Sequence, residues 1–454
     1  MNKKNIFLHL IIFPFFIISN LSFAQCSNES LDMELDAFIS NQMSLHNLPG
    51  LSAAIVKNGQ IVWNSFYGYS SLEENKMVNA QTKFTLASIS KLFTSTACVQ
   101  LWEEGLIDLD IDINNYLPIE VINPNHPNIP ITVRQLLQHK SSLRDYESDL
   151  DLWDNIGNPL IDLETFCASY FVQGGSFFNM SNFGETPPGS SSYWYSNAGF
   201  TLLGYIVQSV SGIPFNQYCQ QFIHEPLEMN TCSWFYLEED NVAMPYSNSL
   251  QPFGLYSVPE YPAAMLKSNI VDLSQFLITI TQKGIYNSFE LIDQVSFLEM
   301  LPSTMINGLG WWGQDTWYGD PNGDYWSHGG YMNGIRTQLN YYPSDSTGFI
   351  ILTNGEGNYS QIQNKLEQFT SYFQIDDCLS YGCTDNSAVN YNIEALIDDG
   401  TCIYESIGIH ETQIEVSQQI KMFDILGRQK RNHKKGDLLF YIYENGDVQK
   451  IIKL

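Results

Sequence analysis

The chain has 454 residues, 44% hydrophobic and 14% aromatic, so it can bury a large core and is not a disordered polymer. It carries 21 Lys and Arg against 49 Asp and Glu, a formal net charge of −28, which repels nucleic acid and anionic membranes. By length it holds about two or three domains.

The first residues read as an export signal. Lys3 and Lys4 precede a run from Ile6 to Leu21 that is apolar except for His9, Ser19 and Asn20. Ser22-Phe23-Ala24 ends it in a small-x-small pattern, which places cleavage before Gln25. Pro14 and the polar Ser19 and Asn20 argue against a permanent membrane span. Gln25, where a lipoprotein site wants a small residue, argues against a lipid anchor at Cys26. The expectation is a signal peptide over 1–24 and a secreted or cell-surface protein with no stable span after processing. Export permits disulfides. Of the eight cysteines, Cys383 and Cys402 bracket a short acidic loop and are the expected pair; Cys219 with Cys232 stays open, and Cys98 reads as a buried thiol.

Leu31 to Leu48 reads as an amphipathic helix ended by Pro49-Gly50. Leu51 to Val56 and Ile61 to Tyr69 read as two strands around the Asn58-Gly59 turn. Ile89, Leu92, Phe93, Ala97, Cys98, Leu101 and Trp102 recur at helical spacing, with Gly105 as a stop. Asp108, Asp110 and Asp112 imitate the start of a calcium loop but lack its glycine and closing glutamate, so they read as solvated turn residues. Ile131 to His139 is a short helix, and 144–190 is an irregular segment over a cleft. Phe200 to Val210 is a helix closed by Gly212, and Asp272 precedes another. Gly308-Leu-Gly310-Trp-Trp-Gly313 imitates a dinucleotide loop without the strand, helix and acid that make one; His224-Glu225-Pro-Leu-Glu228 lacks the second histidine of a zinc site. Tyr325 to Tyr331, Arg336 to Tyr342 and Gly348 to Asn354 are strands.

Ser88-Ile-Ser-Lys91 is the only Ser-x-x-Lys in the chain. A serine hydroxyl is a weak nucleophile until a base takes its proton. On a helix, a lysine three residues on lies one turn away on the same face, and burial makes its amine a base. Ser88 falls at the start of its helix, where free N–H groups and the positive dipole end favour an oxyanion. Tyr195-Ser-Asn197 and His328-Gly-Gly330 follow in order, each short pattern weak alone.

With Leu48-Pro-Gly-Leu51, Pro188-Gly189 ahead of Tyr195, and Gly308-Leu-Gly-Trp311 ahead of His328, these patterns resemble the serine β-lactamase and penicillin-binding-protein superfamily, in its class C β-lactamase-like branch. The resemblance spans roughly residues 30–373 and implies an α/β (α+β) fold, an antiparallel sheet flanked by helices with a further helical region. It implies Ser88 as the acylated nucleophile, Lys91 sharing its proton, and Tyr195 as general base or acid. Asn197 would hydrogen-bond Lys91 or the substrate, and His328 stands where many relatives carry lysine. The N–H groups of Ser88 and Tyr331 would form an oxyanion hole. Gly329 and Gly330 would admit a substrate backbone, and Arg336 is a candidate for the charge that His328 does not supply. A histidine is mostly neutral at pH 7, which favours ester or amide substrates without an obligatory carboxylate. The chemistry needs no cofactor and no metal. Alternatives are a true β-lactamase or D-alanyl-D-alanine carboxypeptidase, and a non-catalytic peptidoglycan- or peptide-binding relative. Tyr246-Ser-Asn248 repeats one pattern without the Pro-Gly or the helix and reads as a loop.

The expected organisation is a signal peptide over 1–24, a serine hydrolase domain over 27–374, a Cys-bracketed acidic spacer over 375–404 and a C-terminal domain over 405–454. From Lys421 the tail carries eight basic and four acidic residues and strand patterns with an Asn445-Gly446 turn. Asp424-x-Leu-Gly-Arg428 and Lys450-Ile-Ile-Lys453 resemble a type IX sorting domain, which implies secretion machinery as a partner beside a small-molecule or peptide substrate. The 383–402 loop reads as a disulfide-clipped spacer or a calcium loop.

Overall fold

The computed structural model describes residues 29–145, 155–237, 241–303, 308–313 and 325–372, and short pieces beyond residue 380. The expected signal peptide and Cys26, Cys378, Cys383 and Cys402 lie outside the described residues. The chain divides into two units: Met1–Asn386 with Asn392–Thr401, and Ser387–Tyr391 with Cys402–Leu454.

Helix α1 (Glu29–Leu45) leads into strands β1 (Gly50–Lys57) and β2 (Gln60–Ser71). Between the strands Asn58 and Gly59 take φ of 46° and 82°, the left-handed pair an Asn-Gly hairpin demands. The two-residue β3 (Lys76–Met77) follows. A 3-10 turn, Ala87–Ile89, runs into α2 (Ser90–Glu103). Then come α3 (Val133–Leu137), α4 (Leu163–Phe171), α5 (Asn197–Ser211) and α6 (Ile270–Thr281). Strands β4 (Trp326–Met332), β5 (Ile335–Tyr342) and β6 (Thr347–Thr353) precede α7 (Ser360–Thr370). The six strands form one antiparallel sheet in the order β4-β5-β6-β1-β2-β3, so the central β1 pairs with the late β6.

Both faces of this sheet are covered, and the period of two in its strands sorts the core. Leu51, Ala53 and Ile55 of β1 and Phe349 and Ile351 of β6 pack toward α1 and α7. The alternate residues Ala54, Val56, Ile350 and Leu352 join the larger core built by α2, α5 and α6. Helix α2 runs through that core, and its polar side chains bond to carbonyls: Thr94 to Pro262 at 2.6 Å, Thr96 to Leu92 at 2.8 Å, Ser95 to Leu309. A buried hydroxyl without such a partner would cost about 1–3 kcal/mol.

Three expectations are refined. Helix α4 occupies part of the stretch expected to be irregular, with Asp162 accepting from the Thr165 N–H at 2.7 Å as its cap. Asp272 lies in the first turn of α6 rather than before it; Asn269 is the cap. Cys219 and Cys232 are separate buried free thiols, as are Cys98 and Cys167. The aspartates of 108–112 are turn residues as expected: Asp108 accepts from the Asp110 N–H, Asp112 caps a 3-10 turn, and Asp110 pairs with Arg134. In the second unit Lys421–Asp424, Gln429–Lys430, Leu438–Ile442 and Val448–Ile452 form a four-stranded antiparallel sheet.

Candidate active site

Ser88 sits in the 3-10 turn ahead of α2, half-buried, after an Ala87 held at φ 48°. Both flanks of the turn are pinned. The Leu86 N–H donates to the Leu266 carbonyl at 2.8 Å, and the Ser90 hydroxyl accepts from the Leu266 N–H at 3.0 Å. The Thr337 hydroxyl of β5 donates to the Leu86 carbonyl at 2.7 Å. Gly330 of β4 makes this approach possible: a Cβ there would lie 2.1 Å from the Thr337 hydroxyl and 2.4 Å from the Leu86 carbonyl. Its space faces the nucleophile turn, not a substrate, and a Cβ on Gly329 would meet the Gln338 side chain at 3.0 Å.

The Lys91 side chain is fully buried. Its Nζ lies 3.2 Å from Ser88 Oγ, 2.6 Å from Asn197 Oδ1 and 2.9 Å from the Ala263 carbonyl. Burial drives its pKa down to about 7, against the opposing charges of Asp145 and Glu260. A neutral amine has two N–H donors and one lone pair. Asn197 and Ala263 offer only acceptors, so the lone pair is left for the Ser88 proton. The aromatic faces of Tyr195 and Phe200 lie 4.7 and 5.7 Å from Nζ.

Tyr195 lies beside Ser88, within reach of its hydroxyl electrostatically. Burial raises its pKa well above the ordinary value, more than the Ser88 hydroxyl lowers it, so it is a neutral phenol that can pass a proton on. Its ring packs on His139 with centroids 4.4 Å apart and on Trp312 at 6.0 Å. The His139 Nδ1 accepts from the Ser196 N–H at 3.1 Å, and burial holds this imidazole neutral.

His328 is buried on β4, with Nδ1 2.8 Å from the Gly329 carbonyl and Nε2 without a partner among the described residues. Burial first, then the charge of Lys91, lowers its pKa to about 3, so it is neutral at pH 7. β4 is an edge strand. Ser327 exchanges both backbone bonds with Trp312, on the side away from β5. By the alternation of an antiparallel ladder the Gly329 and Tyr331 N–H groups point the same way.

Arg336 does not join this constellation. It pairs with Tyr331 across the hairpin, its guanidinium 5.1 Å from that ring, and Nη1 donates to the Met332 and Ile335 carbonyls at 2.6 and 2.7 Å. The exposed Tyr331 side chain bonds to Tyr359 at 3.1 Å, next to the α7 side of the sheet. Sequence reasoning missed Asp145, Glu260 and the Ala263 carbonyl. They come from segments far from the three patterns, and no local spacing announces them.

The Beta-lactamase family profile matches residues 35–369. The chain belongs to that family. It is 24% identical over 340 residues to Protein flp of Staphylococcus aureus, a match covering 73% of this chain and 65% of that relative. It is 27% identical over 345 residues to the putative penicillin-binding protein PbpX of Bacillus subtilis, covering 73% of this chain and 77% of PbpX. A class C beta-lactamase superposes with TM-score 0.61 at 18% identity, covering 76% of this chain and 97% of the enzyme. A penicillin-binding protein from Bacillus halodurans does so with TM-score 0.59 at 22%, covering 73% and 98%. The mixed α/β fold, an antiparallel sheet flanked by helices, is that of these beta-lactamase neighbours.

Proposed function

We propose that this beta-lactamase-family chain is a serine hydrolase that forms an acyl-enzyme on Ser88. The buried Lys91 amine within 3.2 Å of the Ser88 hydroxyl carries this reading. In the first step Ser88 Oγ bonds to the carbonyl carbon of an ester or amide, and its proton passes to Lys91. The negative charge that develops on the carbonyl oxygen is met by the Ser88 and Tyr331 N–H groups, each such donor contributing about 10²–10³ in rate. Tyr195 then relays the proton to the leaving oxygen or nitrogen as its bond to carbon breaks. A water repeats the sequence, giving its proton to Lys91 through Tyr195 and releasing the acid with Ser88 regenerated. Each proton transfer by a placed group contributes about 10²–10⁴.

The substrate class follows from the cation inventory. His328 is neutral, and Arg336 is occupied by its own hairpin, so neither offers a fixed charge for a substrate carboxylate. Uncharged esters and amides, D-amino-acid peptide derivatives among them, are the proposed substrates. A solved relative described as "EstCE1, a hydrolase with promiscuous acyltransferase activity" shares the fold at TM-score 0.58. Another, described as a beta-lactamase/D-alanine carboxypeptidase, shares it at the same score and keeps that reading as the alternative.

The test is intact-mass analysis after exposure to short-chain aryl esters, a fluorophosphonate and a fluorescent penicillin. Ester turnover and a fluorophosphonate adduct, both lost in Ser88→Ala, are expected. A long-lived penicillin adduct or rapid lactam hydrolysis would favour the alternative, and no adduct with any probe would leave a binding protein. Export through the C-terminal tail is a separate proposal, supported by its basic composition. Deleting 405–454 is expected to hold the protein within the cell envelope, and unchanged release would refute it.

A further inference from the structure

Asp145 belongs to none of the patterns that announced the site, and its carboxylate is spent on the start of α5. Oδ1 accepts from the Ser196 hydroxyl at 3.0 Å and from the Ala198 N–H at 2.9 Å; Oδ2 accepts from the Asn197 N–H at 2.7 Å. The helix already has an ordinary cap, since Ser196 Oγ accepts from the Gly199 N–H at 2.9 Å. What Asp145 adds is a clamp on Ser196 and the two residues that follow it, Asn197 and Ala198. Asn197 presents Oδ1 to Lys91 at 2.6 Å, and the Tyr195 ring lies 4.7 Å from the same Nζ, beside Ser88.

We propose that Asp145 is a positioning residue for acylation, which fixes the first turn of α5 so that Tyr195 and Asn197 meet Ser88 and Lys91 together. The proposal rests on the acyl-enzyme reading. A carboxylate is needed because three donors converge on two oxygens. An asparagine would keep one acceptor and turn an amide N–H₂ onto a backbone N–H. The negative charge also faces the Lys91 amine and raises its proton affinity. The other titratable groups around that amine are Glu260 ahead of the short 261–264 helix, His139 after α3, Tyr195 before α5 and His328 on β4.

The test compares Asp145→Asn with Asp162→Ala, which removes the cap of α4 and takes away no group that acts on Lys91. Single-turnover acylation by a fluorophosphonate and kcat/KM for an aryl ester are measured from pH 5 to 9, with thermal melts. Asp145→Asn is expected to lose about 10–100-fold in acylation, the scale of a small misplacement of reacting groups. Its KM is expected to stay within about threefold, because the clamp acts on the transition state more than on the bound substrate. The acid limb of its rate profile shifts to lower pH, because Lys91 loses a neighbouring negative charge. Asp162→Ala is expected to lower the melting temperature with rate and limb unmoved. Asp145→Glu keeps the charge and displaces the oxygens; it is expected to lose rate and keep the limb, and it serves if Asp145→Asn does not fold. Wild-type acylation rates in the Asp145 variants would overturn the proposal, as would losses explained by melting alone with no shift of the limb. A wild-type protein that takes up no probe would overturn the acyl-enzyme reading and this proposal with it.

Discussion

Tyr-Ser-Asn occurs twice in this chain, and the two copies do different work. At Tyr195 the asparagine opens a 15-residue helix, its side chain meets a buried lysine, and the tyrosine lies beside Ser88. At Tyr246 the side chain is fully buried, and its hydroxyl accepts from the Leu72 N–H at 2.7 Å and bonds to Glu73, tying down the turn after β2. The Tyr246 N–H goes to the Asn354 carbonyl at 2.9 Å, and the Asn248 N–H to Glu356 at 3.2 Å. The tripeptide is the same in both places. A helix start places one copy beside a desolvated amine, and a loop that closes on backbone groups and Glu73 makes the other a brace.

The largest effects should come from breaking that difference at its source. Lys91→Arg keeps a cation but cannot give a neutral base, since guanidinium holds its proton. Acylation is expected to fall by about 10²–10⁴, the contribution of a general base. Burst kinetics with an aryl ester measure this; a loss under tenfold would mean that Lys91 acts only as a positive charge. Tyr195→Phe is expected to lose a similar factor in kcat with little change in melting. Tyr246→Phe should do the reverse: about 1 kcal/mol of stability, from a Leu72 N–H left without its acceptor, and an unchanged kcat per folded molecule. Equal effects on rate from the two phenylalanine variants would erase the contrast.

Much of the frame was legible because it rests on short-range signals. The Asn58-Gly59 turn, the strand patterns of β4 to β6 and the Gly212 stop at φ 71° are all local. The order Ser88, Tyr195, His328 was legible as a pattern, and these residues do converge around Lys91. Asp145, the Ala263 carbonyl and the His139 contact were not, because they reach the site through tertiary packing from segments with no spacing of their own. The Arg336 charge was misplaced for a related reason. A strand residue's face is set by its partner, and opposite Tyr331 that face turns away from His328. The buried Cys219 and Cys232 show the same limit, since spacing carried no information on whether the thiols meet.

Protonation separates the catalytic region from the bulk of the core. With the Lys91 pKa lowered to about 7, kcat/KM is expected to rise through neutral pH and level off above it, because only the neutral amine takes the Ser88 proton. Stability is linked to Lys91 as well, falling as pH drops from its unfolded value toward about 7, and below that to the buried histidines. His224, buried against Phe93, has its pKa lowered to about 3 by burial, like His328. A histidine depressed in the folded state contributes stability that is full above its unfolded value of about 6.5 and is lost as pH falls toward the folded value. Below pH 6, where the Lys91 amine is protonated in both states and adds no slope, the unfolding free energy from urea titrations is expected to fall by up to about 1.4 kcal/mol per pH unit for each such histidine. His224→Gln should flatten the stability slope and leave the activity limb where it was. Coincident limbs for rate and stability would show that unfolding, not Lys91, sets the pH profile.

The smallest expected effect concerns the cation that stands beside the site without serving it. Arg336 spends Nη1 on the Met332 and Ile335 carbonyls and lays its guanidinium over Tyr331. Arg336→Gln removes the charge but keeps a donor for the hairpin carbonyls. For an uncharged aryl ester, kcat/KM should stay within about twofold, because the guanidinium touches none of the reacting groups. A substrate with a free carboxylate gives the sharper reading. If Arg336 turned its charge into the cleft, losing it would raise KM for the carboxylate substrate about tenfold or more, the loss of one charge-assisted hydrogen bond, and spare its methyl ester. Equal KM ratios in wild type and variant would leave the neutral His328 as the group that meets the substrate along β4, and the discrimination against carboxylates would then be set by the absence of a fixed cation there.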